Sequence, residues 1–143
     1  MAKQLRSALA LALVVSIVPA AVALAASVVK GGTYTGAVVH GKEPISLKVA
    51  NTGKAVTVNI AIAPLYCEGG GVGTRQITRA APISKSGSFK GSIAYEFQPT
   101  HKTTARLFFS GRFSGRTVKG TARSEFPLAK ECDGSTTFSA KAK

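Results

Sequence analysis

From Gly31 onward, apolar and polar positions alternate with a period of two, and glycine-rich turns interrupt the pattern. Such alternation places apolar side chains on one face of a strand and polar ones on the other. The first strand is expected over Thr33 to Val39, ending at the turn His40-Gly41-Lys42-Glu43-Pro44. Ile45, Leu47 and Val49 then alternate with Ser46 and Lys48, and Val56, Val58, Ile60 and Ile62 with Thr57, Asn59 and alanines. Asn51-Thr52-Gly53 lies between these runs, and Asn and Gly both tolerate positive φ. A turn centred on Thr52-Gly53 sets Val49 opposite Val56, Leu47 opposite Val58 and Ile45 opposite Ile60, so turn chemistry and apolar face agree on one register.

Later segments follow the same rule. Thr74 to Arg79 reads as a strand at a sheet edge, with Arg75, Ile77 and Arg79 on one side. After the turn Ser84-Lys85-Ser86-Gly87, the residues Phe89, Gly91, Ile93, Tyr95 and Phe97 face one way, against Lys90, Ser92 and Glu96. Gln98-Pro99-Thr100-His101 breaks this strand. Leu107, Phe109, Gly111 and Phe113 form the next inward row, and Val118, Gly120 and Ala122 return along it beyond Ser114-Gly115. A last strand runs from Thr136 to Ala142, and nothing reads as a helix. About eight short antiparallel strands without a parallel crossover predict an all-β fold, either an antiparallel β-sandwich or a small closed β-barrel.

The N-terminus differs. Lys3 and Arg6 precede an apolar run from Ala8 to Val18, broken by Pro19 and followed by Ala23-Leu24-Ala25. This is the three-part layout of a secretory signal peptide, and Pro19 with the small-residue exit fits cleavage better than a membrane anchor. Residues 1–25 are therefore read as the signal and 26–143 as one secreted β domain without a transmembrane segment. Removing 25 of 143 residues leaves 118, enough for one core. Cys67 and Cys132, both in this domain, are expected to pair once outside the cytosol. Chain entropy gives such a crosslink roughly 4 kcal/mol.

A short pattern of glycine, any residue, aromatic, any residue, glycine recurs at Gly32-Thr33-Tyr34-Thr35-Gly36, Gly87-Ser88-Phe89-Lys90-Gly91 and Gly111-Arg112-Phe113-Ser114-Gly115. Physically this is an inward aromatic flanked by glycines that let a facing strand approach or the sheet bend. With Val118 to Thr121 (Val-x-Gly-Thr) and Cys132-Asp133-Gly134 leading to Phe138-Ser139-Ala140, the mature chain resembles a broad group of small secreted bacterial all-β proteins of unknown function. Members of that group carry Trp where Phe138 stands here. The resemblance implies the fold and the compartment, but no reaction, substrate or cofactor.

Candidate chemistry is sparse. His40 and His101 lie in turn-like segments, and Asp133 sits in a tight turn beside Cys132. The glutamates Glu43, Glu68, Glu96, Glu125 and Glu131 show no paired-carboxylate spacing. Two distant cysteines and two distant histidines lack the close spacing of a zinc site. Glu68-Gly69-Gly70-Gly71-Val72-Gly73 has neither the Lys-Ser/Thr nor the helix of a P-loop. The domain is therefore expected to be non-enzymatic, with no metal and no cofactor.

Charge adds more. The net charge is +13, or +11 once Lys3 and Arg6 are removed. A basic excess suits either solubility alone or adhesion to an anionic polymer such as teichoic acid, lipopolysaccharide, acidic polysaccharide or extracellular nucleic acid. Sequence-specific nucleic-acid recognition is not expected, because no such motif is present. A two- or four-residue loop at Ser114-Gly115 sets Arg106 opposite Arg123 and Ser110 opposite Lys119. The outward face then carries Arg106, Phe108, Arg112, Lys119 and Arg123 as the candidate anion-binding set. The alternative is a carrier, in which Tyr95, Phe97, Leu107, Phe109 and Phe113 line an apolar barrel cavity rather than fill a core. Sequencing the N-terminus of exported protein is expected to give Ala26 or Ser27. Recovery of Met1-bearing protein in a membrane fraction would contradict cleavage.

Overall fold

A computed structural model of the chain describes residues 27–39, 43–62, 75–97, 103–127 and 130–143. The proposed signal segment 1–25, His40, Cys67, the glycine run 68–73 and His101 lie outside the described residues. Eight strands follow in order: β1 Thr33–Val38, β2 Pro44–Val49, β3 Ala55–Ile62, β4 Arg75–Pro82, β5 Ser88–Phe97, β6 Thr103–Ser114, β7 Thr117–Glu125 and β8 Gly134–Ala142. A single 3-10 turn, Lys130–Cys132, enters β8 where no helical segment is expected from the sequence.

All strands belong to one antiparallel sheet in the order β4-β3-β2-β1-β8-β7-β6-β5. Every neighbour is adjacent in sequence except the pair β1 and β8, the first and last strands. Their pairing, from Tyr34 opposite Ala142 to Val38 opposite Phe138, curls the meander into a nearly closed barrel instead of a sandwich. The seam falls between β4 and β5, where Ile83 and Phe89 bridge the two strands at their turn end. The sequence expectation of an edge strand is met by β4. Arg79 stands opposite Val58 on the core side of β4, yet it remains exposed. A charge on the inner side of an edge strand discourages addition of a foreign strand there.

The β2–β3 register is the one the sequence predicts, with Val49, Leu47 and Ile45 opposite Val56, Val58 and Ile60. Gly53 adopts φ +73° in that turn. All six of these aliphatic side chains are buried in the barrel, together with Tyr34, Phe89, Phe109, Phe113 and Phe138. Tyr34 closes the turn end of the interior. Its ring meets Phe113 edge-on at 4.9 Å, and its hydroxyl donates to the Gly115 carbonyl at 2.8 Å. Phe89 continues the stack 5.2 Å from Phe113. Toward the other end Phe126 is buried together with smaller groups, among them Ala105, Thr136 and Ser124. The Ser124 hydroxyl is fully buried and has no hydrogen-bond partner among the described residues, a cost of roughly 1–3 kcal/mol.

The recurring glycines owe their place to these rings. Phe89 lies directly opposite Gly111, and Phe109 opposite Gly91. Phe138 lies opposite Gly120 on the next pair. A Cβ added at Gly111 would stand 2.6 Å from the Phe89 ring. At Gly91 it would strike the Phe109 ring, and at Gly120 both the Phe138 ring and the Ser110 carbonyl. Each ring therefore fills the space of a missing cross-strand side chain, which lets bulky residues share a narrow interior.

Gly91 offers a clean test, because the nearest atoms to its missing Cβ all belong to the Phe109 side chain. Gly91→Ala is expected to cost about 1–3 kcal/mol, the usual range for overpacking. In a Phe109→Leu background the same change should cost much less, giving a coupling energy in a double-mutant cycle by chemical denaturation. Equal costs in the two backgrounds would contradict the ring-on-glycine contact.

Candidate anion-binding face

Strands β5, β6 and β7 build one outer wall. Pairing registers arrange its outward residues in four rows across the strands: Ser88–Arg112–Lys119, Lys90–Ser110–Thr121, Ser92–Phe108–Arg123 and Ala94–Arg106–Glu125. Rows lie about 6–7 Å apart, two residues along each strand. Arg106, Arg112, Lys119 and Arg123 are exposed and Phe108 half-buried, so the expected candidate set shares one face.

The expected pairing within that set is corrected. Arg106 stands opposite Glu125, and Arg123 opposite Phe108, so the two arginines do not face each other. The loop is Gly115-Arg116 rather than Ser114-Gly115, one position later in the chain. Gly115 takes φ +58°, the sign that primed hairpin turns need at their first central position, and the Thr117 hydroxyl donates to the Ser114 carbonyl at 2.9 Å. The register therefore slides by two residues, which changes partners but leaves every side chain on its face. The like charges that do oppose each other are Arg112 and Lys119.

Arg123 is engaged on two sides. Its guanidinium lies 5.2 Å from the centre of the Phe108 ring, a cation–π contact, and pairs with the Glu125 carboxylate at 2.6 Å. Both side chains are substantially exposed, so solvent leaves this pair a small contribution to stability. Arg112 donates from Nε to the Ser86 carbonyl at 3.2 Å, which steadies one edge of its guanidinium. Ser110 and Thr121 join hydroxyls at 3.0 Å in the middle of the wall.

Two neighbouring grooves run along this wall. One, of about 640 Å³, includes Pro82, Ile83, Lys90, Arg112 and Lys119 in its lining, and the other, of about 600 Å³, includes Ser92, Phe108, Arg123 and Ser135. Lys90, Ser110 and Thr121 belong to both, so the grooves form one trench. Most of its wall is apolar surface, bordered by four cations and several hydroxyl residues, and no carboxylate among the described residues belongs to the lining. Lys90 is the residue that the sequence reading omits. It is legible as outward on its own strand, but its company depends on β5 pairing with β6.

Other candidate chemistry falls elsewhere. The Asp133 carboxylate accepts the Phe126 amide at 2.6 Å and so holds the connection between β7 and β8, a turn-forming role. Among the described residues no group of three His, Cys, Asp or Glu side chains is arranged to hold a metal ion. Of the five residues proposed to line a carrier cavity, Leu107, Phe109 and Phe113 are buried in the core, while the side chains of Tyr95 and Phe97 lie outside the described residues. No helix among the described residues is long and apolar enough to cross a membrane. Comparison with protein families, curated proteins and solved structures returns no match.

Proposed function

We propose that this chain is an exported, non-enzymatic β-barrel module that binds anionic polysaccharides of the cell envelope or its surroundings through the outer wall of β5–β7. The observation that carries the reading is the trench itself, where Lys90, Arg112, Lys119 and Arg123 gather from three strands and Arg123 alone among them pairs with a carboxylate among the described residues. Four cations around one concavity concentrate positive potential where a polyanion can lie, which the same charges scattered over the surface would not. Ring-on-ring packing of Tyr34, Phe113 and Phe89 favours a filled core over the alternative carrier cavity.

A Cys67–Cys132 crosslink belongs to the same proposal. Its support is the presence of only two cysteines, the absence of a free thiol among the described residues, and their place in chain order, one after β3 and one just before β8. Intact-mass analysis of exported protein should show two fewer hydrogens than the reduced chain, and reduction should lower Tm while the strand signal of the cold protein persists. Two alkylatable thiols in native exported protein would contradict the crosslink.

Binding is tested on immobilised heparin. The exported protein should be retained at low salt and elute as salt rises, because contacts of this kind are screened within about 10 Å at 0.1 M. Replacing Lys90, Arg112, Lys119 and Arg123 together by Ser should abolish retention at that ionic strength with the fold intact, since all four are exposed. Elution of the variant at the wild-type salt concentration would overturn the proposal. Tighter binding to single-stranded nucleic acid than to any polysaccharide would redirect it to a different polymer.

A further inference from the structure

The trench is chemically uneven. In its second half Arg123 already has a carboxylate and a ring as partners. In its first half the cations are unspent: Lys90, Arg112 and Lys119 arrive from three different strands on one groove, and none has a carboxylate partner among the described residues. Arg112 and Lys119 stand directly opposed, an arrangement that destabilises a sheet and that an anion between them would relieve, as would spreading of the two exposed side chains into solvent. The bond from Arg112 Nε to the Ser86 carbonyl occupies one edge of the guanidinium and leaves its terminal amino groups for a ligand. Beside the three cations lie the Ser110 and Thr121 hydroxyls and the apolar pair Pro82 and Ile83.

We propose that Lys90, Arg112 and Lys119 form a subsite for a tetrahedral oxyanion, a sulfate or phosphate ester carried on a sugar ring. A carboxylate offers two oxygens in one plane, and a single guanidinium edge satisfies both. Three cations from three strands suit an ester group that presents three free oxygens in different directions. One O–H of the Ser110–Thr121 pair is spent between the two hydroxyls and the other is left to donate to the same group, while Pro82 and Ile83 give the C–H face of the sugar a dry surface. This inference rests on the polysaccharide-binding reading and adds the class of group that the wall selects.

The test compares three probes of matched charge number by calorimetric titration of the exported protein: a heparin-derived sulfated oligosaccharide, an oligogalacturonate bearing carboxylates only, and inorganic polyphosphate. The wild type should bind the sulfated sugar at least about tenfold tighter than the oligogalacturonate, the scale of one charge-assisted hydrogen bond. Replacing Lys90, Arg112 and Lys119 by Ser should erase that ratio. Arg112→Lys, which keeps the charge and loses the anchored fork, should reduce it by itself. A charge-matched control with Lys48, Lys54 and Lys143 replaced by Ser, all exposed and outside the trench, should preserve the ratio. Equal wild-type affinity for both sugars, or a ratio that survives the triple change, would overturn the subsite and leave polysaccharide binding standing. Polyphosphate bound as tightly as the sulfated sugar would overturn the sugar-ring part. Failure to bind any of the three would sink the polysaccharide reading itself.

Discussion

A phenylalanine ring over a glycine on the neighbouring strand is the contact on which this barrel depends. An eight-stranded barrel has an interior just wide enough for side chains, so two bulky residues cannot stand directly opposite at every level. The chain meets this limit by opposing Phe89 with Gly111, Phe109 with Gly91 and Phe138 with Gly120. Glycine in a strand loses entropy and packs nothing by itself, at roughly 0.5–1 kcal/mol relative to alanine. The ring that covers it recovers that loss by burying apolar area that the glycine leaves open. Tyr34 then seals the turn end through Phe113 and the Gly115 carbonyl.

The same arrangement governs the outer surface. Strict alternation sends Phe89 of β5 and Phe109 and Phe113 of β6 inward, so the residues between them must face out. Those are Ser88, Lys90 and Ser92 on β5, and Phe108, Ser110 and Arg112 on β6. Small hydroxyl residues alternate there with long cations. The result is a concave wall with a low floor and a basic rim, where uniformly long side chains would have given a convex one. Pairing of β1 with β8 holds this wall opposite the aliphatic half of the barrel, built by β2 and β3.

Much of this order is legible residue by residue. The β2–β3 hairpin is, because Asn51-Thr52-Gly53 and the aliphatic rows select the same partners. The β6–β7 hairpin is legible in its faces but not in its register. Loops at Ser114-Gly115 and at Gly115-Arg116 differ by a slide of two residues, and such a slide leaves the apolar pattern unchanged. Gly115 suits a central position in either loop, and the Thr117–Ser114 bond belongs to the second. The glycine–aromatic motif is visible along the chain, yet its partners lie across strands: Phe89 uses Gly111, not its own neighbours Gly87 or Gly91. The choice of barrel over sandwich rests on β1 meeting β8, a pairing of the two ends of the domain that leaves no local trace. Lys90 is hidden for the same reason, since it joins Arg112 and Lys119 only through strand order.

Ring-on-glycine packing leaves β5–β7 as the single wall proposed to bind anions, and a residue-by-residue map of ligand contact is the decisive measurement. Backbone amide resonances of the isotopically labelled protein are followed by nuclear magnetic resonance as a heparin-derived oligosaccharide is added. Saturable shifts are expected around Lys90, Ser110, Arg112, Lys119 and Thr121, with β2 and β3 unmoved. Shifts centred on β1–β3, or shifts that track exposed lysines over the whole surface without saturating, would contradict the account.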